Sequence, residues 1–218
     1  MFDKIKLKKQ LIITIGRQYG SGGRTSAKLL AEKLGIHYYD EEILQIASEE
    51  SAISEEIFRL ADEMTGNNIL RKITRQKIDE FNIDTKNLTS PDNLFKFQSS
   101  VIRDLAKQDD FIILGRCANF VLEDQHKDKV LRIFLYADFE TRVKRIMEQE
   151  KINEEMAIGK IKKRDKNRSD YYRYFTGCDL LEPYKYDLMI NTTTIGFDEI
   201  LNIILSFIIT RGFAELVS

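Results

Sequence analysis

Four glycines in eight positions, Gly16, Gly20, Gly22 and Gly23, separate an apolar run from a stretch with helical spacing. The run is Leu11–Ile15. The helical stretch places Ala27, Leu30, Ala31 and Leu34 at i, i+3, i+4 and i+7 and closes at Gly35 as a C′ residue. A strand, a glycine-rich turn and a helix in that order constrain the fold more than any other feature. Glycines tolerate positive φ and leave backbone N–H groups uncovered, and a helix N-terminus adds unpaired donors and a positive dipole end. Phosphate binding is the expectation for such a turn, since a purely structural βα turn would need one or two glycines rather than four.

The turn matches no standard phosphate signature in full. In GxxxxGK[ST] the lysine follows the last glycine; here that position is Gly23, Arg17 stands in the slot of the first glycine, and Arg24 comes next. Either arginine could supply the missing positive charge. Thr25 falls where a GKGT ending places a magnesium-ligating threonine. A dinucleotide turn competes, because Gly20-x-Gly22-x-x-Thr25 approximates GxGxxG and Asp40 follows some twenty residues on. Threonine in the third position counts against it.

Further strands are expected at Ile36–Tyr39, Phe111–Leu114, Val130–Tyr136 and Asp187–Ile190, and further helices at Phe139–Glu150 and Asp198–Ile209. The last helix is apolar nearly all round, as for a helix buried on the sheet or in a subunit interface. Alternation of strands and helices predicts a parallel α/β sheet covered on both faces. Ser51–Gln108 contains no convincing strand and is expected to be a helical insertion.

A second signal is Lys160–Arg173, with seven basic residues against two acidic ones. On a helix Arg164 and Arg168 share a face. Arginines aimed at one point suit phosphoryl transfer, where charge builds on the transferring oxygens. Asp165 could hold one of them in place. Arg116 and Asp40 stand at expected strand ends, where ligands bind in parallel sheets, and Asp40 could equally cap a helix beginning at Glu41. Cys117 reads as a small packed residue, His37 and His126 as structural or surface groups.

The remaining composition excludes rather than selects. The chain carries 34 basic against 35 acidic residues for a net charge of −1, which argues against a general nucleic-acid footprint. Two cysteines without a CxxC pair argue against a zinc site or disulfide framework. The segment Ile200–Ile209 is broken by Asn202 and Ser206 and too short for a membrane span, and Met1–Lys9 is too charged for a secretory signal. A cytoplasmic protein without membrane or nucleic-acid partners is expected, either monomer or homodimer.

Taken together, ITIGRQYGSGGRT (13–25), HYYDEEIL (37–44), IILGR (112–116), RIFLYADFETRVKRI (132–146), KKRDKNR (162–168) and YDLMINT (186–192) resemble the cytidylate kinase-like family of P-loop nucleoside monophosphate kinases. The resemblance implies a P-loop NTPase-like five-stranded sheet of strand order 2-3-1-4-5. One kinase-like domain spans 1–218, with core 10–50 and 109–218, a helical acceptor-binding subdomain at 51–108 and an arginine-bearing lid at about 151–177. It implies ATP and Mg2+, with CMP or dCMP as the acceptor or a related small molecule. Gly20, Ser21, Gly22, Gly23, Arg24 and Thr25 would hold the donor phosphates, Thr25 also the metal. Asp40, Arg116, Asp165 and Arg173 would face the acceptor, and Arg24, Arg164 and Arg168 would be catalytic. This chain departs from the family pattern at Gly23 for the loop lysine, Glu41-Glu42 for Ser-Gly, Gln45 and Ile46 for an acceptor-gripping tyrosine and arginine, Cys117 for an aspartate, and Ile161 for a lid arginine. A nucleotide-binding sensor without transfer activity is the second expectation, a dinucleotide-dependent oxidoreductase the third.

Overall fold

The computed structural model describes residues 5–40, 91–107, 109–124 and 128–217. Its described elements are β1 (Ile5–Leu7), β2 (Ile12–Arg17), α1 (Gly23–Leu34), β3 (His37–Tyr39), α2 (Pro91–Leu105), β4 (Phe111–Leu114), α3 (Ala118–Val121), β5 (Val130–Tyr136), α4 (Phe139–Glu150), α5 (Glu154–Thr176), β6 (Leu188–Asn191), α6 (Phe197–Thr210) and β7 (Ala214–Leu216).

Five strands form one parallel sheet in the order β3-β4-β2-β5-β6. The five expected strands thus occur, in the 2-3-1-4-5 arrangement. Most of the expected insertion, residues 51–90 and 108, lies outside the described residues, as do Glu41, Glu42, Gln45, Ile46 and His126. Beyond the expected strands, β1 and β7 pair antiparallel as a separate two-stranded sheet, with Lys6 opposite Glu215.

Alternation along β2 divides the core. Leu11, Ile13 and Ile15 face a layer with Leu30 of α1 and Ile200, Ile204 and Ile208 of α6. Ile12 faces the other layer, with Ile102 and Leu105 of α2, Val121 of α3 and Phe111 and Ile113 of β4. Each fully buried Leu or Ile contributes about 1.5–3 kcal/mol. The last helix is therefore covered on one face by the chain's own sheet, while Ile203 on its other side is 39% exposed.

Both expected turn devices around α1 occur. Gly35 adopts φ +66° and donates its N–H to the Ala31 carbonyl. Gly20 and Gly22 adopt φ +81° and +87°. Because the five strands are parallel, the turns after β2 and β4, with Asp40 at the end of β3, lie at one edge of the sheet.

Candidate active site

A cavity of about 180 Å³ opens at that edge. Its floor is Thr14, Ile15, Gly16 and Arg17 of β2, one wall is Gly115–Cys117 after β4, and the other is α5. Gly16 is required inside a strand here. A Cβ at that position would stand 2.6 Å from the Phe134 ring and 3.2 Å from Tyr186.

The wall after β4 is a left-handed turn. Gly115, Arg116 and Cys117 have φ of +81°, +59° and +53°, and the Ala118 N–H closes the turn on the Gly115 carbonyl at 3.1 Å. For the two non-glycine residues this region costs about 1–2 kcal/mol each. The conformation places Arg116, only 8% exposed, at the cavity and buries the Cys117 side chain at 4%. Cys117 is the packed residue expected from the sequence.

On α5, Arg164, Asn167, Arg168, Tyr171 and Tyr172 recur at helical spacing and line the opposite wall. Asn119 of α3 donates to the Tyr172 hydroxyl at 2.9 Å, tying α5 to the turn after β4. Burial pushes the Tyr172 phenol up to about 12. Arg17, Arg116, Arg164 and Arg168 thus converge on one cavity, an arrangement suited to an anion.

A network beside the cavity fixes α5 to the glycine-rich turn. Asp165 accepts the Tyr19 backbone N–H at 2.7 Å and pairs with Arg142 of α4. The arginine it holds is therefore on α4. Arg142 also donates to the Tyr19 carbonyl at 3.2 Å. The Tyr19 hydroxyl bonds to Glu150, which pairs with Lys160. Arg164 and Arg168 lie over the Tyr19 ring, 6.0 and 5.4 Å from its centroid. Burial first, then Glu150, raises the Tyr19 phenol to about 12 against the downward pull of those arginines.

The expected site residues do not all meet. Arg116, Arg164 and Arg168 line the cavity, joined by Arg17, whose place in the glycine slot was the one signal for it. Arg142, Tyr19 and Asn119 carried no sequence signal, because each acts through a partner distant in the chain. The turn Gly20–Thr25 lies outside the cavity lining. There Ser21 is buried, its hydroxyl donating to the Gln18 carbonyl at 2.9 Å while its own carbonyl accepts from Thr192 at 2.8 Å. Arg24 pairs with Asp40, Nε to Oδ2 at 2.8 Å, and Asp40 also accepts from the Tyr38 hydroxyl. Arg173 is exposed and pairs with Asp179 at 2.9 Å.

The turn itself fits a phosphate chain. The N-terminus of α1 has no side-chain cap and no acidic residue in its first turn, so its donors and dipole suit an anion. Thr25 is exposed in that turn, and among the described residues no group of three His, Cys, Asp or Glu could hold a metal. The exposed Thr25 hydroxyl is an oxygen ligand of the kind Mg2+ takes beside phosphate oxygens. No described helix is long and apolar enough to cross a membrane.

The family model "Cytidylate kinase-like family" matches residues 12–194. A cytidylate kinase of Methanobrevibacter smithii is 30% identical over 90% of this chain and 97% of its own length. One from Sulfolobus acidocaldarius is 29% identical over 90% and 93%. Among solved structures, an uncharacterized protein from Eubacterium ventriosum superposes with a TM-score of 0.68 at 26% identity, covering 93% of this chain and all of its own. The family match runs from the first residue of β2 to just beyond β6 and so takes in the sheet, the glycine-rich turn and the arginine-bearing helix: the chain belongs to the cytidylate kinase-like family.

Proposed function

We propose that this protein transfers the γ-phosphoryl group of ATP to a nucleoside monophosphate, of the CMP or dCMP type, or to a related small phosphorylated acceptor. The observation that carries the reading is the convergence of four arginines, from β2, the turn after β4 and α5, on one cavity beside a glycine-rich turn. The relatives named cytidylate kinase support it.

In this reading the turn Gly20–Thr25 and the α1 N-terminus bind the donor phosphates, and Arg116 orients the acceptor phosphate. Thr25 would hold Mg2+, which supplies charge neutralisation on the phosphate oxygens when bound. As an acceptor oxygen forms its bond to phosphorus and the bond to the ADP oxygen breaks, charge accumulates on the transferring oxygens. Arg164 and Arg168, delivered by α5 as a lid, offset that charge. Asp165 positions the lid on the turn through Tyr19.

The test is phosphoryl transfer from Mg·ATP to each ribo- and deoxynucleoside monophosphate, followed by phosphorus NMR, with Arg168→Ala as control. Formation of ADP and one nucleoside diphosphate, lost in the control, is expected. ATP binding without transfer to any of these monophosphates would overturn a nucleoside monophosphate acceptor and leave a related small acceptor or a nucleotide sensor.

A further inference from the structure

Arg17 ends β2 and is 6% exposed. Its side chain does not leave the strand for solvent. It crosses the first residue of α1, where a Cβ on Gly23 would stand 2.8 Å from Arg17 Cβ and 2.9 Å from its Cγ. Its guanidinium ends against Gly115, where an added Cβ would overlap Nη1. Two glycines from different turns form the bed of one arginine.

This explains the departure from GxxxxGK[ST]. The pattern needs a glycine first and a lysine six positions later; here those positions are Arg17 and Gly23. Cation and glycine have exchanged places. The exchange is sterically linked, because the stem of Arg17 fills the space in which a side chain at position 23 would begin. Arg17 lines the cavity together with Arg116, its stem against Gly23 of the glycine-rich turn and its guanidinium against Gly115. Arg24, the alternative, has half its side chain exposed and is absent from the cavity lining.

We propose that Arg17 takes the role of the missing loop lysine, presenting its guanidinium to the terminal phosphates of ATP from β2 across Gly23. This rests on the phosphoryl-donor reading above. A planar fork gives two parallel donors where an ammonium gives a point charge, so the substitution also fixes phosphate orientation.

The linkage predicts a rescue. Arg17→Gly with Gly23→Lys rebuilds GxxxxGK within the same turn. Binding of ATP would be measured by calorimetry on wild type, Arg17→Ala, Arg24→Ala, Gly23→Lys and the double variant, with thermal melts of each. Arg17→Ala and Gly23→Lys are each expected to weaken ATP binding by about tenfold or more. Arg24→Ala should lose less than Arg17→Ala, and the double variant should return to within about threefold of wild type. Should Arg17→Ala not fold, Arg17→Lys and the double variant carry the comparison, Arg17→Lys being expected to bind better than Gly23→Lys. Equal affinity of wild type and Arg17→Ala, a larger loss in Arg24→Ala, or a double variant no better than its single parents would each overturn the assignment. Absence of ATP binding by the wild type would overturn the donor reading itself, and the assignment with it.

Discussion

Asp165 accepts the backbone N–H of Tyr19 at 2.7 Å, joining the middle of the arginine-bearing helix to the glycine-rich turn. Its second oxygen engages Arg142, so one carboxylate connects α5, α4 and the turn. Arg142 is buried, and removing the carboxylate leaves its charge with only the Tyr19 carbonyl from this network. Asp165→Ala is expected to destabilise the fold by about 2–3 kcal/mol, a fall in Tm of roughly 4–12 °C. Calorimetric melting checks this; an unchanged Tm would mean that the contact does not hold the helix down.

Arg164 and Arg168 reach the cavity from the same helix face, and their proposed role is confined to the transition state. Arg168→Ala should lower kcat by about 10³-fold while nucleotide Kd changes by less than roughly threefold. Steady-state kinetics beside calorimetric binding separates the two quantities. A rise in Kd that accounts for the whole loss would make Arg168 a ground-state binding residue.

Asp187 accepts from Arg132 three times: from its backbone N–H at 2.8 Å, from Nε at 3.0 Å and from Nη2 at 2.9 Å. Burial alone would raise the Asp187 carboxyl, but these bonds outweigh it and hold the group below the usual carboxylate range. Its stabilising contribution is therefore complete above the unfolded value of about 3.9 and disappears as pH falls through the lower folded value. Asp187→Asn should cost about 1.5–3 kcal/mol at neutral pH. The difference in Tm between wild type and variant should shrink on acidification below about pH 4, and a constant difference would contradict the assignment.

Tyr19 and Tyr172 act at the opposite end of the pH scale. Both are held protonated to about 12, Tyr19 by burial and then Glu150, Tyr172 by burial. A raised folded value means that their contribution is complete below the unfolded value of about 10 and is lost as pH climbs to the folded one. Ultraviolet titration of wild type against Tyr172→Phe should remove a phenol ionising near 12. Loss of a group ionising near 10 instead would show Tyr172 to be solvated.

Elements whose signal is local were legible. Phe111–Leu114, Val130–Tyr136 and Phe139–Glu150 have the expected boundaries, and Gly35 caps α1 as its position implies. The strand expected at Leu11–Ile15 runs to Arg17, because Gly16 and Arg17 pair with Phe134 and Leu135 of β5. That partner is invisible to a local window. The pairing of β1 with β7 escaped for the same reason: each strand is three residues with a charge at its centre, too short for a periodic pattern, and forms by contact between the two ends of the described chain. At the site, Arg116, Arg164 and Arg168 could be named because each stands on a recognisable element, a strand end or a helix face. Arg142 could not, because nothing in the α4 pattern distinguishes it from its charged neighbours until Asp165 arrives from α5.

By itself the sequence determined the alternation of strands and helices, a phosphate-type turn and a helix rich in arginine, since these rest on apolar periodicity and the conformational freedom of glycine. Which cations share a space was decided by tertiary structure. Arg24 is two residues from Gly22, yet Asp40 holds its guanidinium. Arg17 lies five residues before Gly22, yet it crosses Gly23 and comes to rest against Gly115, nearly a hundred residues away in sequence. A guanidinium on a long, flexible stem goes wherever packing leaves room and charge attracts it, and both were set only when the turns after β2 and β4 met at the same edge of the sheet.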